Sequence, residues 1–176
     1  MTSWLVPSSA GHLAERDLAL PPPALVLGFG NVLLSDDGAG VQIVERLREE
    51  LGTEAADFID AGTLSFSLLP YIEATKSLLV IDAADIERPP GSIGLFEAAA
   101  MDTFLSSARR RTVHEVGLID LLDMARLRDC LPHRRALLCI QPYRIDWSER
   151  LSRPVADALP EAARQAAALL ERWKDS

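Results

Sequence analysis

The chain of 176 residues has the length of one ordinary domain, and its 48% hydrophobic and 25% charged residues are the balance of a folded globular chain, not of a disordered one. A core of this size needs no disulfide or structural metal for stability. The formal net charge of −8, from 26 acidic and 18 basic residues, argues against a general nucleic-acid binder, which needs a basic surface to displace counterions from phosphates.

Residues 1–23 end in Pro21-Pro22-Pro23, which removes backbone donors and favours an extended chain, so they read as a loosely held extension before a domain over 24–176. They carry no early positive charge and no apolar run long enough for a signal peptide, and no window of the chain approaches a transmembrane span. Cys130 and Cys139 lack C-x-x-C spacing and fit a reducing compartment better than a secreted scaffold. The expectation is a soluble, cytoplasmic protein.

From Ala24 onward, short apolar runs alternate with longer helical periods. Ala24–Phe29 is apolar at every position, as a strand inside a parallel sheet must be. The segment from Asp37 to Glu50 brings Val41, Val44 and Leu47 round at helical spacing with charges between them, and Leu51 continues the series. Ala56–Ile59 is a weak second strand, followed by an Asp60-Ala61-Gly62-Thr63 turn and a helix around Ser65–Glu73. Ser77–Ile81 is the strongest strand signal in the chain. After the turn at Pro89-Pro90-Gly91, Ile93–Phe96 is a short strand too close to its predecessor for a crossover helix, and so is expected to run antiparallel. Glu115–Leu127 is a helix, Ala136–Ile140 a buried strand, and Pro154–Trp173 a closing Ala-rich helix. This alternation predicts an α/β, three-layer αβα sandwich around a mostly parallel sheet.

In such a sheet, ligands collect beyond the carboxyl ends of the strands. The polar residues expected there are Asn31, Asp36 and Asp37 after the first strand, Asp60 and Thr63 after the second, Asp82 and Asp85 after the third, and Gln141 and Tyr143 after the last. His114 stands just before a helix, whereas His12 and His133 receive no role. If the first and third strands are neighbours, Asp37 and Asp82 face one crevice. Two carboxylates with an imidazole suit a borderline divalent ion such as nickel, zinc or manganese. Each residue also has a plainer reading. Asp36 and Asp37 can serve a helix start, Asp82 can accept bonds from the following turn, and Asp60 can belong to a tight turn enabled by its glycine. Four separate segments placing such groups at one sheet edge favour a site over coincidence.

Gly28-Phe29-Gly30 begins like a dinucleotide fingerprint, but Leu33 replaces the third glycine, and two acids at the helix start would repel a pyrophosphate. There is no G-x-S-x-G, and neither cysteine has a plausible partner base.

Gly28–Val41, reading GFGNVLLSDDGAGV, resembles the opening motif of the hydrogenase maturation endopeptidases. Further elements match in order: DAGT at Asp60–Thr63, LLVIDA at Leu78–Ala83, VHEVGLIDLL at Val113–Leu122, then QP at Gln141 and LSRPV at Leu151–Val155. The resemblance runs from about Ala24 to Trp173. It implies an aspartic-type, nickel-dependent endopeptidase that removes the C-terminal peptide of a NiFe hydrogenase large-subunit precursor. By position it implies nickel contacts at Asp37, Asp82 and His114, with Asp60 as a second-tier catalytic residue beside Asp37 and Asp82. Asp37 is one methylene shorter than the Glu that some relatives use, and Ala61 replaces the first glycine of a DGGT-like turn. The nickel is implied to arrive in the substrate's own site, and the protein is expected to be a monomer without nucleic-acid or membrane partners. The implied fold is phosphorylase/hydrolase-like, a mixed five-stranded sheet in order 2-1-3-5-4 with strand 4 antiparallel. Rival readings are a non-cleaving nickel-site chaperone, a peptidyl-tRNA hydrolase-like enzyme, and a flavin or nicotinamide oxidoreductase.

Overall fold

The computed structural model describes residues 24–62, 66–108 and 113–174, and leaves the side chains of residues 108 and 113–116 outside that description. The expected extension over residues 1–23, Thr63 and the side chain of His114 therefore lie outside the described residues.

In chain order the elements are β1 (Leu25–Phe29), a 3₁₀ turn (Ser35–Gly38), α1 (Ala39–Leu51), β2 (Asp57–Gly62), a second 3₁₀ turn (Phe66–Leu68) leading into α2 (Leu69–Ala74), β3 (Ser77–Ala83) and β4 (Ile93–Glu97). They continue with α3 (Ala99–Ala108), α4 (Val113–Leu127), β5 (Arg134–Ile140) and α5 (Arg153–Lys174). The five strands form one sheet in the order β2-β1-β3-β5-β4. Only β4 runs antiparallel, paired to β5. Order and direction are those expected from the sequence.

The layers follow from side-chain alternation. Every residue of β1 and β3 is buried, because helices cover both faces of these inner strands. On one face Val26, Leu79, Ile81 and Leu138 pack with Ile43, Val44 and Leu47 of α1 and Ala162, Ala166 and Leu169 of α5. The small alanines let α5 approach the sheet closely. On the other face Leu25, Leu27, Leu78, Val80 and Leu137 meet Ile72 of α2, Met101 and Leu105 of α3, and Leu118, Leu121 and Leu122 of α4. Each fully buried aliphatic side chain contributes about 1.5–3 kcal/mol relative to exposure.

Three local readings are corrected. β2 extends through Gly62, so Asp60 is a strand residue and not the first residue of a turn beyond the strand. Asp36 and Asp37 sit in a 3₁₀ turn that precedes α1, which begins at Ala39. The helix α3 has no counterpart in the sequence reading, although Met101, Phe104 and Leu105 supply one apolar face at helical spacing. Among the described residues no helix is long and apolar enough to cross a membrane.

Candidate active site

The loop leaving β1 leads through α1 on one face of the sheet to β2, whereas β3 is followed by elements that return on the other face and the other side. Connections that diverge from two adjacent parallel strands open a crevice at their carboxyl ends, the usual binding position in an open α/β sheet. β1 pairs with β3 in parallel register, Gly28 opposite Ile81. The crevice therefore lies where Asp37 and Asp82 stand.

Asp37 is held by a tightly folded loop. Gly30 has φ of +122°, and a Cβ there would lie 1.8 Å from the Asp37 carbonyl oxygen, so only glycine permits the return. At Gly40 a Cβ would lie 2.4 Å from both the Phe29 and the Ile81 carbonyl oxygens. The start of α1 is thus wedged between the ends of β1 and β3, which fixes the preceding Asp37 over the crevice. Asp37 is only 6% exposed. Its Oδ2 accepts the Asn31 backbone N–H at 2.7 Å, and the Asn31 side chain in turn accepts the Leu33 N–H at 2.9 Å.

Asp82 is the penultimate residue of β3 and 4% exposed, opposite Cys139 of β5. It shares strand parity with Leu78 and Val80, so it faces the layer of α2 and α4. α4 ends near the amino edge of the sheet, since the chain turns there into β5 and Arg134 donates its N–H to the Lys76 carbonyl. Fifteen helical residues at about 1.5 Å each span roughly the same length as the seven-residue strand. The first turn of α4, which carries His114, accordingly stands at the carboxyl edge in the layer that Asp82 faces. Asp60 lies one strand further out on β2, exposed, its Oδ1 accepting the Gly62 N–H at 2.8 Å.

The other edge residues divide into supports. Gln141 Oε1 accepts the Ile86 N–H at 2.8 Å and so anchors the loop between β3 and β4, while Asp85 closes a local turn on the Glu87 N–H. Asp36 is fully buried and serves neither as a helix cap nor as a crevice ligand. Its Oδ1 accepts the Ser152 N–H at 2.6 Å, and its Oδ2 accepts the Tyr143 N–H, the Arg144 N–H and the Ser152 hydroxyl at 2.9, 3.0 and 2.8 Å. Ser35 beside it has φ of +53°, a strained conformation for a non-glycine residue. Its N–H to Ser148 O and its hydroxyl to Arg150 O hold it there. Sequence reasoning singled out Asp36 but not this role, because its partners lie more than a hundred residues away.

Two carboxylates and an imidazole are donor types that suit a borderline divalent ion. Among the described residues no three His, Cys, Asp or Glu side chains are grouped to hold an ion. The His114 side chain lies outside that set.

These features define a doubly wound α/β protein with two buried carboxylates at its switch point. The family model for hydrogenase maturation proteases matches residues 41–169, a span that includes Asp60, Asp82 and His114 and begins just after Asp37. A hydrogenase expression/formation protein HoxM of Cupriavidus necator is 32% identical over 151 residues, covering 85% of this chain and 74% of the relative. HupD of Rhodobacter capsulatus is 34% identical over 155 residues, covering 87% of this chain and 73% of its own. In structure, the hydrogenase-maturating endopeptidase HybD of Escherichia coli superposes with a TM-score of 0.77 at 26% identity, over 85% of this chain and 92% of that one. The chain belongs to the hydrogenase maturation protease family, and its activity class is that of a peptidase.

Proposed function

We propose that this chain is a cytoplasmic, monomeric endopeptidase that removes the C-terminal peptide from the precursor of a NiFe hydrogenase large subunit once nickel has been inserted. The nickel belongs to the substrate. Asp37, Asp82 and His114 are the residues that would contact it, and their carboxylate and imidazole donors suit that ion. A metal so placed polarises a carbonyl or acidifies a water.

The chain's own groups do the rest. Asp82, buried near the end of β3, would offer a carboxylate donor to the nickel, which a nickel-free precursor leaves without its metal partner. Asp37, whose Oδ2 accepts the Asn31 N–H, or Asp60 would accept a proton from the attacking water. Asp60 is exposed and already accepts the Gly62 N–H, which suits it to orienting the peptide at the rim. The enzyme is aspartic in type, since carboxylates handle the water and no activated serine or cysteine is invoked.

The observation that carries the reading is that β1 and β3 are adjacent parallel strands, with the buried Asp82 near the end of β3 and the buried Asp37 in the turn that follows β1. The test is incubation of purified precursor with wild-type protein, followed by mass spectrometry. One released C-terminal peptide is expected. An intact precursor that nevertheless binds would replace the peptidase with a non-cleaving chaperone.

A further inference from the structure

We propose that the rim formed by the loops after β1 and β5 is the surface on which the folded body of the precursor docks, through an apolar patch on that partner; this rests on the proteolytic reading above. Trp147, Tyr143 and Ile145 are 83%, 65% and 52% exposed, and Leu33 is 44% exposed. Large apolar groups gathered on one polar-rimmed face mark interaction sites far more often than scattered ones do.

The two loops that carry these residues are joined by backbone pairing. Leu34 and Ser148 form a parallel bridge, with the Ser148 N–H on Leu33 O at 3.0 Å and the Ser35 N–H on Ser148 O at 2.6 Å. Parallel pairing sets Leu33 beside Trp147 along the backbone. The Asp36 carboxylate then ties the Tyr143–Arg144 backbone and Ser152 to the same turn. These bonds tie the two loops to each other, which lowers the cost of ordering them on binding. Aromatic anchors on such a rigid base are the usual carriers of binding energy.

Continuity with the crevice identifies the occupant. Leu33 precedes Asp37 by four residues in the same tight loop, and Asp36 fastens the Trp147 loop to that turn. A polypeptide whose tail reaches Asp37 would pass next to this rim, because Leu33 and Asp37 share one loop and the 143–152 segment is bonded to it. Leu127, 85% exposed, closes α4 at the opposite, amino edge and cannot take part.

The test compares wild type with Trp147→Ser and with Ile145→Ser, measuring the Kd for full-length precursor by calorimetry, kcat and KM for its cleavage, Tm, and mass by sedimentation. Kd and KM should rise on the order of tenfold or more in Trp147→Ser, with kcat and Tm unchanged. A Kd within about twofold of wild type overturns the docking surface, even where cleavage by the wild type upholds the proteolytic reading. Wild type that binds without cutting, with binding lost in Trp147→Ser, removes the peptidase and keeps the surface. Wild type that does not bind precursor, or a dimer that Trp147→Ser dissociates, overturns the proposal.

Discussion

Asp36→Asn offers the sharpest test of how the crevice is held together. Asp36 Oδ2 accepts three donors, the Tyr143 and Arg144 N–H groups and the Ser152 hydroxyl, while Oδ1 accepts the Ser152 N–H at 2.6 Å. Asparagine has one carbonyl oxygen. Placed at the Oδ2 position it keeps three bonds, but its amide then faces the Ser152 N–H, donor against donor, at a site where Asp36 is 0% and Ser152 7% exposed. The lost bond to a charged acceptor is worth about 1.5–3 kcal/mol, and the three survivors weaken as they become neutral pairs. A loss of about 3 kcal/mol is a large part of the roughly 5–15 kcal/mol available to a domain. It should lower Tm by about 6–12 °C at this chain length. Circular-dichroism melting, with urea unfolding as a second measure, reads it directly. Ser152→Ala, which loses the hydroxyl bond and keeps the N–H, should cost only about 1 kcal/mol. A fall of less than about 2 °C in Asp36→Asn would show that the clasp adds nothing to stability and would refute this reasoning.

Gly40→Ala should prevent folding or cost several kcal/mol, since its methyl would stand 2.4 Å from two backbone oxygens that cannot retreat; a soluble variant with wild-type Tm would contradict the wedge between β1 and β3. The Arg135 guanidinium, through its hydrogen bonds, holds the Asp102 carboxyl below its usual value, and Arg126 helps, against the opposing effect of burial. A depressed folded pKa means that this stabilisation is present above the unfolded value near 3.8 and is lost as pH falls through the folded one. The urea-midpoint gap between wild type and Asp102→Asn should therefore shrink as pH falls below the unfolded value near 3.8; a gap that stays constant would remove the ion pair from the account. Purified protein should keep no stoichiometric nickel after mild chelation, as read by atomic emission. One retained ion per chain would make nickel a resident cofactor.

The layered fold was legible because its inner strands are apolar on both faces: Leu25–Phe29 and Ser77–Ile81 can sit only between two helical layers. The antiparallel β4 was legible from chain length alone. The helix α3 was not, although Met101, Phe104 and Leu105 carry its apolar face at helical spacing, because that face is only three residues long. The extension of β2 through Gly62 escaped notice because Asp60-Ala61-Gly62 has turn composition, and the pairing with β1 overrides it. In the site, the expected crevice shared by Asp37 and Asp82 rested on a condition, that β1 and β3 be neighbours, and that pairing is what the sheet shows. The division of labour inside the Asp36-Asp37 pair was invisible locally. It depends on Tyr143, Arg144 and Ser152, which only the folded chain brings near.

The central claim is that Asp37, Asp82 and His114 read a nickel ion carried by the substrate and couple it to cleavage. The most direct measurement is a gel shift with mass spectrometry on nickel-free and nickel-loaded precursor, each incubated with wild type and with Asp82→Asn. The account predicts one cut near the C-terminus of loaded precursor by wild type, no cut of nickel-free precursor, and a rate at least about a hundredfold lower in a folded Asp82→Asn. Equal cleavage of both precursors by wild type, or undiminished cleavage by Asp82→Asn, would contradict it.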